Sequence, residues 1–180
     1  MLEERLLLKG NKTERIYQAL RKAGWYPDRR TDISAVLEYY EKWNIELSPQ
    51  AVSFFKEYYG IASQWYIEVK NLECCGADFN FQLFPYPKEY KIDIVDFMYD
   101  DADYILESDE YKNAKAYSKE YIVMVGEIGY YYPARVWIGN SGTIYCTHDY
   151  EDDVLKFDSV VQLILDELLN REFESVAMKL

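Results

Sequence analysis

Histidine is the scarcest reactive residue of this chain, because the 180 residues contain a single one, His148. This excludes metal motifs built on two histidines and proton relays that need two imidazoles. Cysteine is nearly as scarce, with three residues, two of which are the adjacent pair Cys74 and Cys75. Such a set does not make the disulfide framework of a small secreted protein, so the sequence predicts a reducing, cytoplasmic location.

Long apolar runs are also missing. None approaches the roughly 20 residues that a helix needs to cross a bilayer. Near the start, Glu3, Glu4 and Arg5 precede a short leucine run, which is not the pattern of a signal peptide. We therefore expect no membrane segment and a single domain over residues 1–180, since this length suits one well-buried core. Residues 1–12 are predicted to be either a flexible arm or a short strand.

Basic residues are scarce in the later part of the chain. The formal net charge is −12, yet residues 1–70 carry +1 and residues 71–180 carry −13. Positions 93 to 110 hold eight carboxylates and no Lys or Arg. Such a surface repels phosphate, which argues against direct nucleic-acid binding. Two interpretations remain open: the charge keeps the protein soluble, or it attracts a basic protein partner.

What the sequence does contain is a strong strand pattern after residue 120. Residues 122–125 form a continuous apolar run, which is typical of a central strand buried on both faces. Residues 134–138 alternate in character with the period of a strand, and 139–142 offer the turn residues that a hairpin needs. The glycines that follow residue 125 predict a loop between these two strands.

Apolar residues recur at helical spacing in five other segments. The predicted helices are residues 13–23, 33–40, 49–59, 100–119 with a break near Ser108, and 159–170. The predicted N-caps are Thr13, Asp32, Ser48 and Ser159. Alternating residues predict two more strands, at 61–69 and 79–83. The expected architecture is a single α+β domain with a mostly antiparallel or mixed sheet and flanking helices.

Two short motifs resemble a known family. The first is Ala23-Gly24-Trp25 followed by Arg29 and Asp32, and the second is Val125-Gly126-Glu127 followed by Ile138, Gly142, Ile144 and Tyr145. With this order of elements, residues 13–170 resemble the SUKH superfamily and, within it, the third family, found mostly as bacterial immunity proteins. The resemblance implies an α+β domain that binds and blocks a toxin, often a nuclease or deaminase, inside the producing cell. It implies a structural signature of Gly24, Trp25, Arg29, Asp32, Gly126, Glu127 and Gly142.

The resemblance leaves a second function open. Other SUKH proteins are regulatory interaction modules, so a scaffolding role without a toxin target is the alternative. A third interpretation is an enzyme that uses Glu127 as a general acid or base, because burial raises the pKa of a carboxyl group. A glutamate in this position more often bonds to nearby backbone amides. We therefore predict a protein without catalytic residues.

The remaining reactive side chains predict neither a metal nor a cofactor. Cys146 and His148 lie two positions apart on a predicted strand, so both can face the same way. With Cys74 and Cys75 they would offer soft metal ligands, but no CxxC spacing is present. A nucleophilic Cys146–His148 pair needs a third, orienting group, for which only Asp149 is near in sequence. A free, unreactive thiol is the alternative.

Acidic segments and tyrosines supply the predicted partner-binding residues. The chain has 19 tyrosines, and tyrosine is enriched where proteins bind proteins. The run Tyr130–Tyr132 cannot point inward with all three rings from a loop. The predicted set is Asp100, Asp101, Asp103, Glu107, Tyr130, Tyr131, Glu151, Asp152 and Asp153. The partner is expected to be a cognate toxin with a basic surface, without nucleic acid or membrane.

Overall fold

One antiparallel sheet of eight strands organises the computed structural model, which describes residues 5–69, 77–83, 102–129, 134–149, 151–170 and 173–179. The strands are β1 Arg5–Leu7, β2 Ala62–Val69, β3 Ala77–Leu83, β4 Ile122–Gly129, β5 Ala134–Gly139, β6 Ile144–Thr147, β7 Val154–Phe157 and β8 Phe173–Lys179. Their order across the sheet is β1-β8-β2-β3-β4-β5-β6-β7, and every neighbouring pair is antiparallel.

Six helices lie within the described residues. They are α1 Lys12–Lys22, α2 Ser34–Lys42, α3 Pro49–Tyr58, α4 Ala102–Glu107, α5 Asp109–Ser118 and α6 Val160–Leu169. The expected α+β class is confirmed, and so is the break near Ser108, where α4 ends and α5 begins. No helix in the described part of the chain has the length and apolar character needed to span a bilayer.

Helices cover both faces of the later half of the sheet. Trp137 of β5 lies opposite Tyr145 of β6, and its ring packs 5.7 Å from that of Tyr111 in α5. The next residue of β6, Cys146, points the other way and contacts Glu167 of α6. Every residue of β4 and β5 is buried. The prediction that residues 122–125 form a central strand buried on both faces is therefore confirmed.

The first helix begins earlier than predicted. Its N-cap is Asn11, whose side chain accepts a hydrogen bond from the Glu14 backbone N–H at 3.0 Å. The Glu14 carboxylate accepts one from the Asn11 backbone N–H at 2.8 Å, which completes a capping box. The prediction of Thr13 as the cap was wrong, because the reciprocal glutamate lies three residues after Asn11.

The other predicted caps have different outcomes. Ser48 and Ser159 are N-caps, as predicted, and their hydroxyls accept hydrogen bonds from backbone N–H groups of α3 and α6. The cap of α2 is Ile33, which makes no side-chain capping bond, so the prediction of Asp32 was wrong. The Asp32 carboxylate still accepts a hydrogen bond, at 3.0 Å, from the backbone N–H of Ser34, which is the first residue of α2.

Two segments are more regular than the sequence predicts. Residues 126–129 belong to β4, because this strand pairs with β3 on one side and β5 on the other, and the two ladders override the glycines. The pairing of β4 with β5 shifts its register between Met124 and Gly126, and the strand continues beyond this irregularity. Arg5–Leu7 pairs with β8 and forms a short strand, which is one of the two structures expected for residues 1–12. Residues 1–4 and 130–133 lie outside the described residues.

Candidate functional site

An acidic cleft lies where the start of α5 faces the connection between β6 and β7. Its volume is about 650 Å³, and the described residues that line it include six carboxylates and no Lys or Arg. The lining residues are Glu107, Ser108, Asp109, Glu110, Asn113, His148, Asp149, Glu151 and Asp152. The fold thereby joins two acidic segments that are far apart in the sequence. We call this surface the acidic cleft.

Ser108 fixes one wall of the acidic cleft. Its hydroxyl donates to the Ile105 carbonyl at 2.8 Å and accepts from the Tyr111 backbone N–H at 3.2 Å, so it closes α4 and caps α5. Asp109 and Glu110 follow in the first turn of α5, where the helix dipole stabilises negative charge. Because the ring of Tyr111 packs against the sheet, the acidic end of the helix is held at the rim of the cleft.

Arg135, which lies in β5, neutralises part of the negative charge of the acidic cleft. Its guanidinium lies 2.9 Å from the Glu110 carboxylate, and both side chains are mostly buried. Glu110 and Asp149 share a hydrogen bond, which raises the pKa of Asp149, with burial adding to the effect. Burial opposes a low pKa for Glu110, but the Asp149 hydrogen bond and the Arg135 charge outweigh it and lower that pKa. These two carboxyl groups are thus tied to the sheet.

Four carboxylates of the cleft remain exposed and available to a partner, namely those of Glu107, Asp109, Glu151 and Asp152. Three of them belong to the predicted partner-binding set. Asp153 of that set is exposed but does not line the cleft, and the side chain of Asp103 in α4 is not described. Asp100, Asp101, Tyr130 and Tyr131 lie outside the described residues. The set omitted Asp109, Glu110 and Asp149, although the same acidic runs contain them.

Glu127 lies beside Arg135 in the sheet and does not line the acidic cleft. It is 7% exposed and stands opposite Arg135 in the pairing of β4 with β5. Burial raises its pKa to about 7, with Asp149 adding to the rise and the charge of Arg135 opposing it. Because Glu127 is not among the lining residues of the cleft, its position favours a structural role over acid or base catalysis there.

Glu127→Gln is expected to remove a pH dependence of stability. A carboxyl group with a pKa near 4.5 when unfolded and about 7 when folded holds its proton only in the folded state between these values. The native protein therefore loses stability as the pH rises through this window, by about 3 kcal/mol in total. Glutamine mimics the protonated form, so the variant avoids this loss.

Urea unfolding of both proteins at about pH 5 and about pH 8 measures this difference. The variant is expected to be the more stable protein at the higher pH. An equal pH dependence in the two proteins would contradict the assignment.

The motif around Trp25 joins the end of α1 to the end of α3. Gly24 takes a positive φ of 101°, which turns the chain out of α1. Trp25 is buried, at 8% exposed, and its indole N–H donates to the Glu57 carboxylate at 3.0 Å. Arg29 donates to the backbone carbonyls of Glu57 and Tyr59 at 2.8 and 2.9 Å. These carbonyls end a helix and lack partners within it, so Arg29 caps α3.

A second cluster links β6 to α6. The Glu167 Oε1 atom lies 2.8 Å from Nε2 of His148 and 3.8 Å from Sγ of Cys146. Burial raises the pKa of the Cys146 thiol well above its ordinary value, and the Glu167 charge adds to this. The hydrogen bond to Glu167 raises the pKa of His148. A protonated thiol is a weak nucleophile, so the cluster does not support the Cys146–His148 nucleophile.

Comparison with protein families adds an independent finding. The model of the SUKH-3 immunity protein family matches residues 12–159, which run from α1 to the start of α6 and include the whole acidic cleft. No curated protein and no solved structure matches this chain. The family match thus covers the candidate site, while Glu167 lies beyond it.

Proposed function

Because the chain belongs to the SUKH-3 immunity protein family, we propose that it binds a toxin protein through the acidic cleft and neutralises it. The observation that carries this proposal is the convergence of six carboxylates, from two separate segments, on one concave surface whose described lining has no Lys or Arg. Carboxylates held this close repel one another, and a partner with basic side chains would relieve that repulsion on binding.

The shape of the site supports a basic partner. Its volume of about 650 Å³ lies within the range of about 300–1,000 Å³ that is typical of pockets for drug-sized ligands. Long Lys or Arg side chains therefore fit inside, and an arginine can engage a carboxylate through two parallel hydrogen bonds. The four exposed carboxylates would attract the partner at the rim. Glu110 and Asp149, which are held beside Arg135, would maintain the shape of the cleft.

A toxin that acts on nucleic acid fits this surface best. Nucleases and nucleic-acid deaminases need basic residues to bind phosphates, and an acidic protein seated on those residues would exclude the substrate. We propose that the protein acts in the cytoplasm, without catalysis of its own, by occupying this basic surface. A regulatory module that binds a basic partner other than a toxin is the second candidate, and the same cleft favours it.

Protection of cells separates these two functions. A toxin candidate is first identified by affinity purification of this protein from its producing cells. The candidate is then expressed in a bacterial host, alone and together with this protein. Restored growth, with a complex that survives purification, is the expected result for an immunity protein. A stable complex without protection would instead indicate a scaffold, and toxicity without a complex would refute the proposal for that candidate.

A further inference from the structure

We propose that Cys146, His148 and Glu167 form a binding site for a divalent transition metal ion, for which Zn²⁺ is the best match. Among the described residues, their thiol sulfur, imidazole nitrogen and carboxylate oxygen all lie within 4.8 Å of one another. Thiolate, imidazole and carboxylate are the three side-chain ligands that zinc prefers. This inference does not depend on the proposed function.

Two of the three ligand–ligand distances lie close to those around a tetrahedral ion. Zinc ligands at about 2.0 to 2.3 Å from the ion lie about 3.3 to 3.7 Å from one another. Glu167 Oε1 is 2.8 Å from Nε2 of His148 and 3.8 Å from Sγ of Cys146. The first of these distances must lengthen and the second must shorten, each by a few tenths of an ångström, while the Cys146 sulfur and the His148 nitrogen lie within 4.8 Å of each other. Rotations about the side-chain bonds of these residues would supply such movements.

Charge and burial also suit a dication. Cys146 is fully buried and Glu167 is 8% exposed, so a thiolate and a carboxylate there would be costly without a positive charge. Zn²⁺ together with one thiolate and one carboxylate has no net charge. Binding would transfer the thiol proton to solvent and place the sulfur lone pair on the ion, with no change of oxidation state.

The surroundings of His148 resemble those of a metal-bound histidine. Metal-ligating histidines usually direct the second ring nitrogen at a carboxylate or carbonyl. Nδ1 of His148 is buried without a hydrogen-bond partner in the described part of the chain, and it lies 3.7 Å from Oε2 of Glu151. A small movement of Glu151, which is largely exposed, would complete this arrangement.

The metal ion would reach its site through the acidic cleft, and its binding would in turn affect the cleft. The His148 side chain is 22% exposed and lines that cleft, whose carboxylates concentrate cations near it. Three protein ligands leave one coordination position for water. The ion would fasten the β6–β7 connection, with Asp149, Glu151 and Asp152, to α6. It would therefore hold one wall of the cleft in place.

Cobalt(II) absorption tests the site in the full-length protein. Cobalt replaces zinc in such sites and shows a thiolate-to-metal charge-transfer band only when a cysteine is bound. Protein stripped of metal with a chelator is titrated with Co²⁺ and then with Zn²⁺. We expect the band to saturate at one equivalent and to disappear when Zn²⁺ displaces the cobalt.

Substitutions identify the ligands. Cys146→Ser is expected to abolish the band, while His148→Gln and Glu167→Gln are expected to weaken cobalt binding by at least about tenfold. Two controls should match the native protein. The double variant Cys74→Ser with Cys75→Ser tests the other thiols, and Asp153→Asn removes one exposed carboxylate between β6 and β7, so it lowers the negative charge as Glu167→Gln does without removing a ligand.

Absence of the band in the native protein would overturn the proposal, and so would a band that survives Cys146→Ser or vanishes in the Cys74 and Cys75 double variant. Circular dichroism of each metal-free variant establishes that it folds. If Glu167→Gln does not fold, the melting temperature decides: Zn²⁺ should raise it in the native protein and not in Cys146→Ser. An equal rise in both proteins would refute the site.

Discussion

Neutralising the exposed carboxylates of the acidic cleft is expected to slow association with the toxin by about tenfold to a thousandfold at low salt. The variant carries Glu107→Gln, Asp109→Asn, Glu151→Gln and Asp152→Asn. These residues line the cleft and are exposed, so they attract a basic partner before contact is made. Rim charges act mainly on the association rate, and the dissociation rate should change less.

The choice of these four residues separates binding from folding. Glu110 and Asp149 are left intact, because Glu110 pairs with the mostly buried Arg135 and shares a hydrogen bond with Asp149. Removing one partner of a buried ion pair is strongly destabilising. Among the described residues, Asp109 forms an ion pair with Lys112 alone, across an exposed turn of α5, and such surface pairs contribute little. The variant is therefore expected to fold with native stability.

Salt provides the second measurement. The Debye length falls from about 10 Å at 0.1 M salt to about 3 Å at 1 M, so attraction between exposed charges is largely screened at the higher concentration. The native protein and the cleft variant should therefore associate at similar rates in 1 M salt. Stopped-flow mixing with the purified, inactivated toxin at several salt concentrations gives both rates.

A control variant distinguishes the cleft from total charge. The control removes an equal number of negative charges from exposed positions that do not line the acidic cleft, through Glu38→Gln, Glu41→Gln, Glu46→Gln and Glu174→Gln. This control should associate nearly as fast as the native protein. Equal slowing in both variants would show that only net charge matters. If neither variant slows and salt has no effect, the acidic faces are a solvated surface, and the Tyr130–Tyr132 segment becomes the better candidate.

The acidic segment around the start of α4 is tested separately. A variant with Asp100→Asn, Asp101→Asn and Asp103→Asn is measured in the same way. Slower association would extend the binding surface from the acidic cleft into this segment, as the sequence predicts. An unchanged rate would confine the electrostatic attraction to the residues that line the cleft.

Trp25→Ala is expected to destabilise the fold by about 3–5 kcal/mol, the usual cost of truncating a buried tryptophan. The Trp25 ring packs 5.7 Å from that of Tyr17 on α1, and its N–H reaches Glu57 on α3. Alanine would leave a cavity between these helices and remove the hydrogen bond. The loss corresponds to a fall in melting temperature of about 6–20 °C for a domain of this size.

Trp25→Phe is the matched control for Trp25→Ala. It keeps an aromatic ring beside Tyr17 and removes the indole N–H, so the lost hydrogen bond to Glu57 should account for about 1 kcal/mol. Urea unfolding of the three proteins gives the two differences. A melting temperature unchanged by Trp25→Ala would show that this residue does not stabilise the core and would reopen a role for it in binding.

Local backbone geometry accounts for what the sequence determined. A short apolar run followed by glycines is typical of a buried strand, so residues 122–125 were enough to predict β4. A serine before a helix predicts a cap because the bond forms within three residues, as at Ser48 and Ser159. The excess of carboxylates and the presence of a single histidine can likewise be counted from the sequence alone.

Only the tertiary structure decided which of these residues meet. The acidic cleft depends on the docking of α5 beside β6, and the burial of Glu110 depends on the position of Arg135 in β5. Glu167 joins Cys146 and His148 because α6 packs across the sheet. Such contacts are set by strand register and helix packing over long separations, which no local period encodes. The sequence therefore determined the charge and most of the elements, though not β7 and β8, and the fold determined the sites.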